Sequence, residues 1–211
     1  RIDWNINNNH KFNIRYNMVN SKFGSAPSTS RTGLPNSSFS TSSCTSMYAL
    51  YFEGARYFQE QNFSSIAAEL NSRFLDGALG NTLRVSYSHQ YEPRSVTGGY
   101  FPYVDLVVND VNGDGNSHIY TTFGTEAFSY GNLRDVSTGI VTDELTYTTG
   151  IHNLLTSVQF EYNNTKNGFQ RMGAGAYVFE FANEQALYDA VLAGTPFDNP
   201  SQFAITHGNN A

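Results

Sequence analysis

The sequence predicts an all-β protein: a segment of an antiparallel, up-and-down transmembrane β-barrel with long outer loops and one short loop helix. Three observations predict it. The composition is rich in aromatics (15%) and poor in charge (14%), against ~25% charged residues in ordinary soluble domains. Apolar and polar residues alternate with period two along several stretches, the signature of strands with one greasy and one wet face. These stretches come in pairs joined by short turns, while the pairs themselves are joined by long connections. That is the cadence of an outer-membrane barrel, whose near-side turns are short and whose outer loops are long. A mean hydropathy of −0.41 is compatible with it, because alternation averages the lipid-facing residues away.

The first pair is "RIDWNI" and "KFNIRYNMV" (1–6 and 11–19), flanking the turn "NNNH". Ile2, Trp4 and Ile6 alternate with Arg1, Asp3 and Asn5; Phe12, Ile14, Tyr16 and Met18 alternate with Lys11, Asn13, Arg15 and Asn17. The second pair runs from "FSSIAAELNSRF" (63–74) to "NTLRVSYSHQY" (81–91) across "LDGALG". Ile66, Ala68, Leu70 and Phe74 share one side of the first member, and Leu83, Val85, Tyr87 and Tyr91 one side of the second. The third pair is "GIVTDELTY" (139–147) and "IHNLLTSVQFEYN" (151–163), with Val141, Leu145 and Tyr147 meeting Leu154, Val158, Phe160 and Tyr162. Thr156 and Asp143 interrupt that side. The strands match the ~9–11 residues that cross a bilayer at a tilt.

The connections cover 20–62, 92–138 and 164–202. The Ser/Thr/Gly/Pro-rich stretch "SKFGSAPSTSRTGLPNSSFSTSSCTSM" reads as a flexible tip. "YALYFEGARYF" (48–58) extends the wall. "YFPYVDLVVNDVNGDGNSHIYTTFGTEAF" (100–128) reads as a strand, a polar turn and a second strand. "NEQALYDAVLAG" (183–194) is a short helix with Asn183 as N-cap and Gly194 past its C-terminus. Ala186, Leu187, Ala190 and Val191 form its packing side, and strands precede and follow it in "GAYVFEF" and "SQFAIT".

The totals exclude several classes. A net charge of −6 opposes a nucleic-acid partner, since phosphate binding needs a basic surface. Cys44 is the one cysteine, so neither an intrachain disulfide nor a thiolate zinc cluster can form. No run approaches the ~18 apolar residues of a membrane helix. There is no G-x-S-x-G elbow and no phosphate loop, and the acidic residues are dispersed, so no catalytic residue stands out and no enzyme is expected. His10, His89, His118, His152 and His207 are scattered.

One motif carries metal-ligating chemistry. In "NDVNGDGNS", Asp110, Asn112 and Asp114 fall on alternate positions, followed by Gly115 and Asn116. That order of oxygen donors matches the opening of a Ca²⁺ loop, where alternate side chains converge on the ion. The twelfth position, where a bidentate Glu would complete it, holds Thr121. The same residues suit a tight hairpin turn, because Asn, Asp and Gly accept positive φ. The aromatic clusters "YALYF", "YFPY" and "YVFEF" are read as strand packing or a membrane-interface girdle, with a ligand-stacking surface as the rival.

Taken in order, "RIDWNINNNHKFNIRYNMVNS", "SSIAAELNSRF", "NTLRVSYS", "FGTEAFS" and "IVTDELTYTTGIHNLLTSVQFEY" resemble TonB-dependent outer-membrane receptors of the Oar-like subtype. The resemblance implies that 1–211 is part of one barrel domain of about 22 strands, closed by a plug. It implies residence in the Gram-negative outer membrane, contact with the lipid bilayer, and a small-molecule, peptide or glycan ligand captured by the outer loops. Import would be driven by the TonB complex acting on the plug. No plug or TonB box is recognisable, and the chain reads as a fragment of a longer polypeptide. Two other readings stay open: a secreted β-sandwich that binds carbohydrate with "DVNGDGN" as a Ca²⁺ site, and a surface adhesive module.

Overall fold

The computed structural model describes residues 1–26 and 48–206. Of the Ser/Thr-rich stretch read as a flexible tip, 21–25 instead continue a strand; the rest of it from 27 on, with Cys44, and His207 lie outside the described residues. The chain is mostly β, with eleven strands and one α-helix among the described residues. It divides into two compact units: Arg1–Ser21, Gln61–Glu92 and Arg134–Asn167 form the first, and Lys22–Glu60, Pro93–Leu133 and Gly168–Ala211 the second. The second unit is therefore assembled from the three long connections read in the sequence, to within a few residues.

The first unit carries a six-stranded sheet in the order β1-β2-β4-β5-β8-β9. Its members are β1 (Ile2–Asn5), β2 (His10–Ser25), β4 (Tyr57–Phe74), β5 (Leu79–Val96), β8 (Leu133–Thr149) and β9 (His152–Gly168). The sheet is open, with β1 and β9 at its edges. The three expected hairpins are present, and their turns have local causes. Asn7 Oδ1 accepts from the amides of Asn9 (2.8 Å) and His10 (2.9 Å), an Asx turn that closes β1 on β2. Leu75, Asp76 and Gly77 all take positive φ between β4 and β5, and Gly150 (φ 58°) does so between β8 and β9.

The strands are longer than the sequence suggested. β4 and β5 each run 18 residues, where the bilayer needs ~9–11. Beyond the apolar stretch they continue on cross-strand polar pairs, such as Lys22 with Glu60 (3.9 Å) and Arg134 with Glu92 (3.6 Å).

The second unit is built on a five-stranded sheet ordered β11-β10-β6-β7-β3, where β3 is Leu50–Tyr51, β6 Tyr103–Asn109, β7 Ser117–Phe123, β10 Ala176–Phe181 and β11 Gln202–Ala204. The β6–β7 hairpin is the one read in 100–128. Two pairings are parallel, β6 with β10 and β3 with β7. Of the expected strand in 48–58 only Leu50–Tyr51 is extended before the chain turns at Glu53–Ala55.

β6 is buried on both faces, so apolar residues fill both sides of it rather than alternating, with Asp105 the one charged residue among them. One face packs Tyr103 and Val107 with Ile119, Phe128 and Met172. The other packs Val104, Leu106 and Val108 with Phe179 and with Leu187 of the helix α1 (Glu184–Ala193). Asp105 is buried within the sheet and accepts from Thr122 Oγ1 at 2.5 Å. At Gly124 (φ 88°), a side chain would collide with the Pro102 carbonyl, so the chain leaves β7 through glycine.

α1 has the expected ends. Asn183 Oδ1 accepts from the Ala186 amide at 2.9 Å, and Gly194 is left-handed (φ 71°) with its amide on the Ala190 and Val191 carbonyls. Leu187 is its buried anchor, while Val191, read as a packing residue, is exposed.

Candidate functional site: a two-faced wall and an aromatic lobe

Side-chain pairs fix which residues share a face of the six-stranded sheet. Asn13, Glu69, Asn71, Thr82 and Arg84 are hydrogen-bonded to one another across β2, β4 and β5. Thr142 donates to Gln159 and Thr138 to Asn163 across β8 and β9. These residues define the polar face. Because side chains alternate along a strand, the opposite face is Ile2 and Trp4; Phe12, Ile14, Tyr16 and Met18; Ile66, Ala68, Leu70 and Phe74; Leu83, Val85 and Tyr87. Val141, Leu145, Tyr147, Leu154, Val158, Phe160 and Tyr162 continue it.

Among the described residues no apolar side chain of this face is buried; Phe12, Ile14, Ala68, Leu70 and Leu83 are half-buried and the rest more open. Val158 is 71% exposed, Phe160 67% and Trp4 60%. Among the described residues of the first unit, Ser72 alone is buried, so the unit contains no hydrophobic core. Each fully buried aliphatic or aromatic side chain contributes roughly 1.5–3 kcal/mol in a water-soluble fold, and this sheet has none.

Polar residues on that face are paired off toward its ends. Toward the short turns, His10 Nδ1 meets Ser72 Oγ at 2.9 Å and Asn81 donates to Asp143 at 2.7 Å. Toward the long connections, Tyr87 donates to Ser137 at 3.1 Å and His89 meets Asp135 at 2.8 Å. Asp143 thus interrupts the apolar side as the sequence indicated, with Asn81 as the partner the sequence did not reveal.

The polar face carries a charged centre. Glu69 Oε2 accepts from Arg84 Nε at 2.8 Å, and its Oε1 accepts from Asn71 (2.7 Å) and Asn13 (3.3 Å). Arg84 Nη1 also approaches Glu144 at 4.0 Å. A shallow hollow of about 150 Å³ opens here, lined by Asn13, Arg15, Glu69, Arg84, Ser86 and Thr142. Ala67, Ala68, Val85 and Ile140 complete its lining, so it is a mixed polar and apolar surface.

The oxygen-rich loop forms the tip of the β6–β7 hairpin. Asp110 (φ 54°), Asn112 (φ 53°), Gly113 and Gly115 are all left-handed. Asp110 Oδ1 accepts from the Gly115 amide (2.7 Å) and Asp114 Oδ1 from the Asn116 amide (2.9 Å), while Asn116 Nδ2 donates back to the Asp114 carbonyl. His118 Nε2 meets Asp114 Oδ2 at 2.5 Å and its ring lies edge-on to Tyr48, 4.8 Å between centroids. The Asn116 amide, then His118, hold the Asp114 carboxyl below its ordinary value. The structure places Asp110, Asn112, Asp114 and Asn116 in one tight turn, in which one carboxylate oxygen each of Asp110 and Asp114 accepts from a backbone amide of the turn. Among the described residues no group of three or more His, Cys, Asp and Glu converges. His118 was missed in the sequence; its spacing of four from Asp114 was the available signal.

The aromatic clusters separate into two roles. Tyr103 and Phe179 are core, the packing reading. Phe52, Phe101, Phe123 and Phe197 instead form a chain of ring contacts at the surface of the second unit. Among the described residues no helix is long and apolar enough to cross a membrane, which leaves strands unaddressed. Comparison of the chain with family models, curated proteins and solved structures gave no match.

Proposed function

We propose that this chain supplies part of the β-barrel wall, and the outer loops, of a TonB-dependent, Oar-like receptor in the outer membrane of a Gram-negative cell. It is a transport protein rather than an enzyme in this reading. The apolar face meets lipid, the face bearing Glu69 and Arg84 lines the lumen, and the second unit meets the ligand. The energised step belongs to a plug and to the TonB complex acting on it.

The observation that supports the reading is the sheet with one continuous apolar face, on which no apolar side chain among the described residues is buried, and no hydrophobic core of its own. Large contiguous apolar surfaces of this kind are rare on soluble monomers and mark a surface that meets a partner or a membrane. In a bilayer it is the surface a wall requires. A secreted sandwich needs the same side chains buried against a second sheet, whereas Trp4, Leu154, Val158, Phe160 and Tyr162 are exposed.

Trp4, the sole tryptophan, lies on this face and is a native probe. In vesicles of lipids brominated along the acyl chain, its emission should be strongly quenched, and aqueous acrylamide should quench it weakly. Trp4 open to acrylamide and untouched by brominated lipid would remove the membrane reading.

A further inference from the structure

We infer that the second unit carries a binding cleft for a small apolar ring compound, on the stretch of its five-stranded sheet that α1 leaves uncovered. The inference goes beyond the barrel reading and stands on the geometry of this unit alone.

The face of the sheet that carries Val104, Phe123, Tyr177 and Phe179 is covered by α1 only in part. The helix anchors through Leu187 against the cluster of Leu106, Val108 and Phe179 and ends at Gly194. Beyond it a cleft of about 340 Å³ opens, with Phe101 and Phe197 at its rim. That volume falls in the small-molecule range of about 300–1,000 Å³. Its floor is of core quality, Val104 and Phe179 being 6% and 5% exposed, whereas Phe101 and Phe197 are more than half exposed.

The rings are already arranged around the space. Phe197 stands edge-on to both Phe179 (5.3 Å between centroids) and Phe123 (5.8 Å), and Tyr177 lies nearly parallel to Phe179. Edge and face positions of this kind offer an incoming ring the offset-stacked and T-shaped contacts that aromatic pairs prefer. Phe197 sits in the turn after α1, outside any helix or strand, so it can shift to admit a guest.

The lining decides the chemical class. Its side chains are Phe101, Pro102, Val104, Phe123, Tyr177, Phe179 and Phe197, with the Tyr177 hydroxyl as the one polar side-chain group. A sugar stacked on an aromatic plate needs several hydrogen-bond partners around its hydroxyls, and burying those hydroxyls unpaired is costly. No side chain here carries charge. An apolar ring has no polar group to desolvate on entering and gains from the area it removes from water.

The experiment places a reporter in the cleft: Phe197→Trp in a Trp4→Phe chain, titrated with dansylamide. Energy transfer from the new tryptophan should rise saturably. Phe101→Asp, at an exposed rim position, should weaken binding by about tenfold or more with the near-ultraviolet dichroism of the unit unchanged; Phe101→Ser serves if the Asp variant does not fold. Naphthalene should displace the probe and maltose should not. Transfer that never saturates, saturation unaffected by either Phe101 variant, or displacement by maltose in place of naphthalene would each overturn the inference. Quenching of Trp4 by brominated lipid is measured separately, so the wall and the cleft fail independently.

Discussion

Arg84 donates Nε to Glu69 Oε2 at 2.8 Å across β4 and β5, while their immediate neighbours Val85 and Leu70 project to the opposite, apolar face. One residue of displacement along a strand thus moves a side chain from an ion pair to an apolar surface. Arginine placed at Val85 should destabilise the protein folded into lipid vesicles by ~2–4 kcal/mol if that position lies near the bilayer midplane. Arginine at Ser86, on the polar face, should have little effect. Urea titration of the vesicle-inserted chain measures both, and equal losses at the two positions would refute the two-faced wall.

Acidification should loosen the β6–β7 tip. The Asn116 amide and His118 hold the Asp114 carboxyl below its ordinary value of 3.8, so the folded state binds the proton less readily than the unfolded state. The stability this gives is present above that ordinary value and is lost as pH falls through the lowered folded value. Asp114→Asn should flatten this acid limb. Its persistence in the variant, followed by chemical denaturation of the second unit against pH, would assign the limb to another group.

Calcium separates the two readings of the same loop. With Asp110 and Asp114 engaged by the Gly115 and Asn116 amides, millimolar Ca²⁺ should leave the Tm of the second unit unchanged, and EDTA should not lower it. A rise in Tm that EDTA reverses, and that Asp110→Asn abolishes, would establish a metal site, since a ligand bound only to the folded state raises stability by mass action.

The ends of α1 should contribute measurably. Asn183→Ala removes the acceptor for the Ala186 amide and should cost about 1 kcal/mol. Gly194→Ala forces a side chain into left-handed backbone, at about 1–2 kcal/mol. Both appear as shifts in the urea midpoint of the second unit. Unchanged midpoints would mean that α1 is held by Leu187 packing alone.

The sequence alone determined the hairpins, their faces and the helix ends, because each depends on neighbours in the chain. Period-two alternation sorted Ile14 from Arg15 and Leu83 from Arg84. Asn7, Gly150, Asn183 and Gly194 marked turns and caps through their own backbone chemistry. It also located the long connections that make up the second unit.

Tertiary structure decided the rest. That β6 pairs in parallel with β10, some 70 residues away, rests on burial at both faces, which a short, largely apolar run such as "YVDLVV" does not distinguish from other buried segments. Asn81 finding Asp143, and five aromatic side chains closing round one cleft, are likewise meetings between distant residues. Alternation says which way each side chain points; only the assembled sheets say what, if anything, stands opposite it.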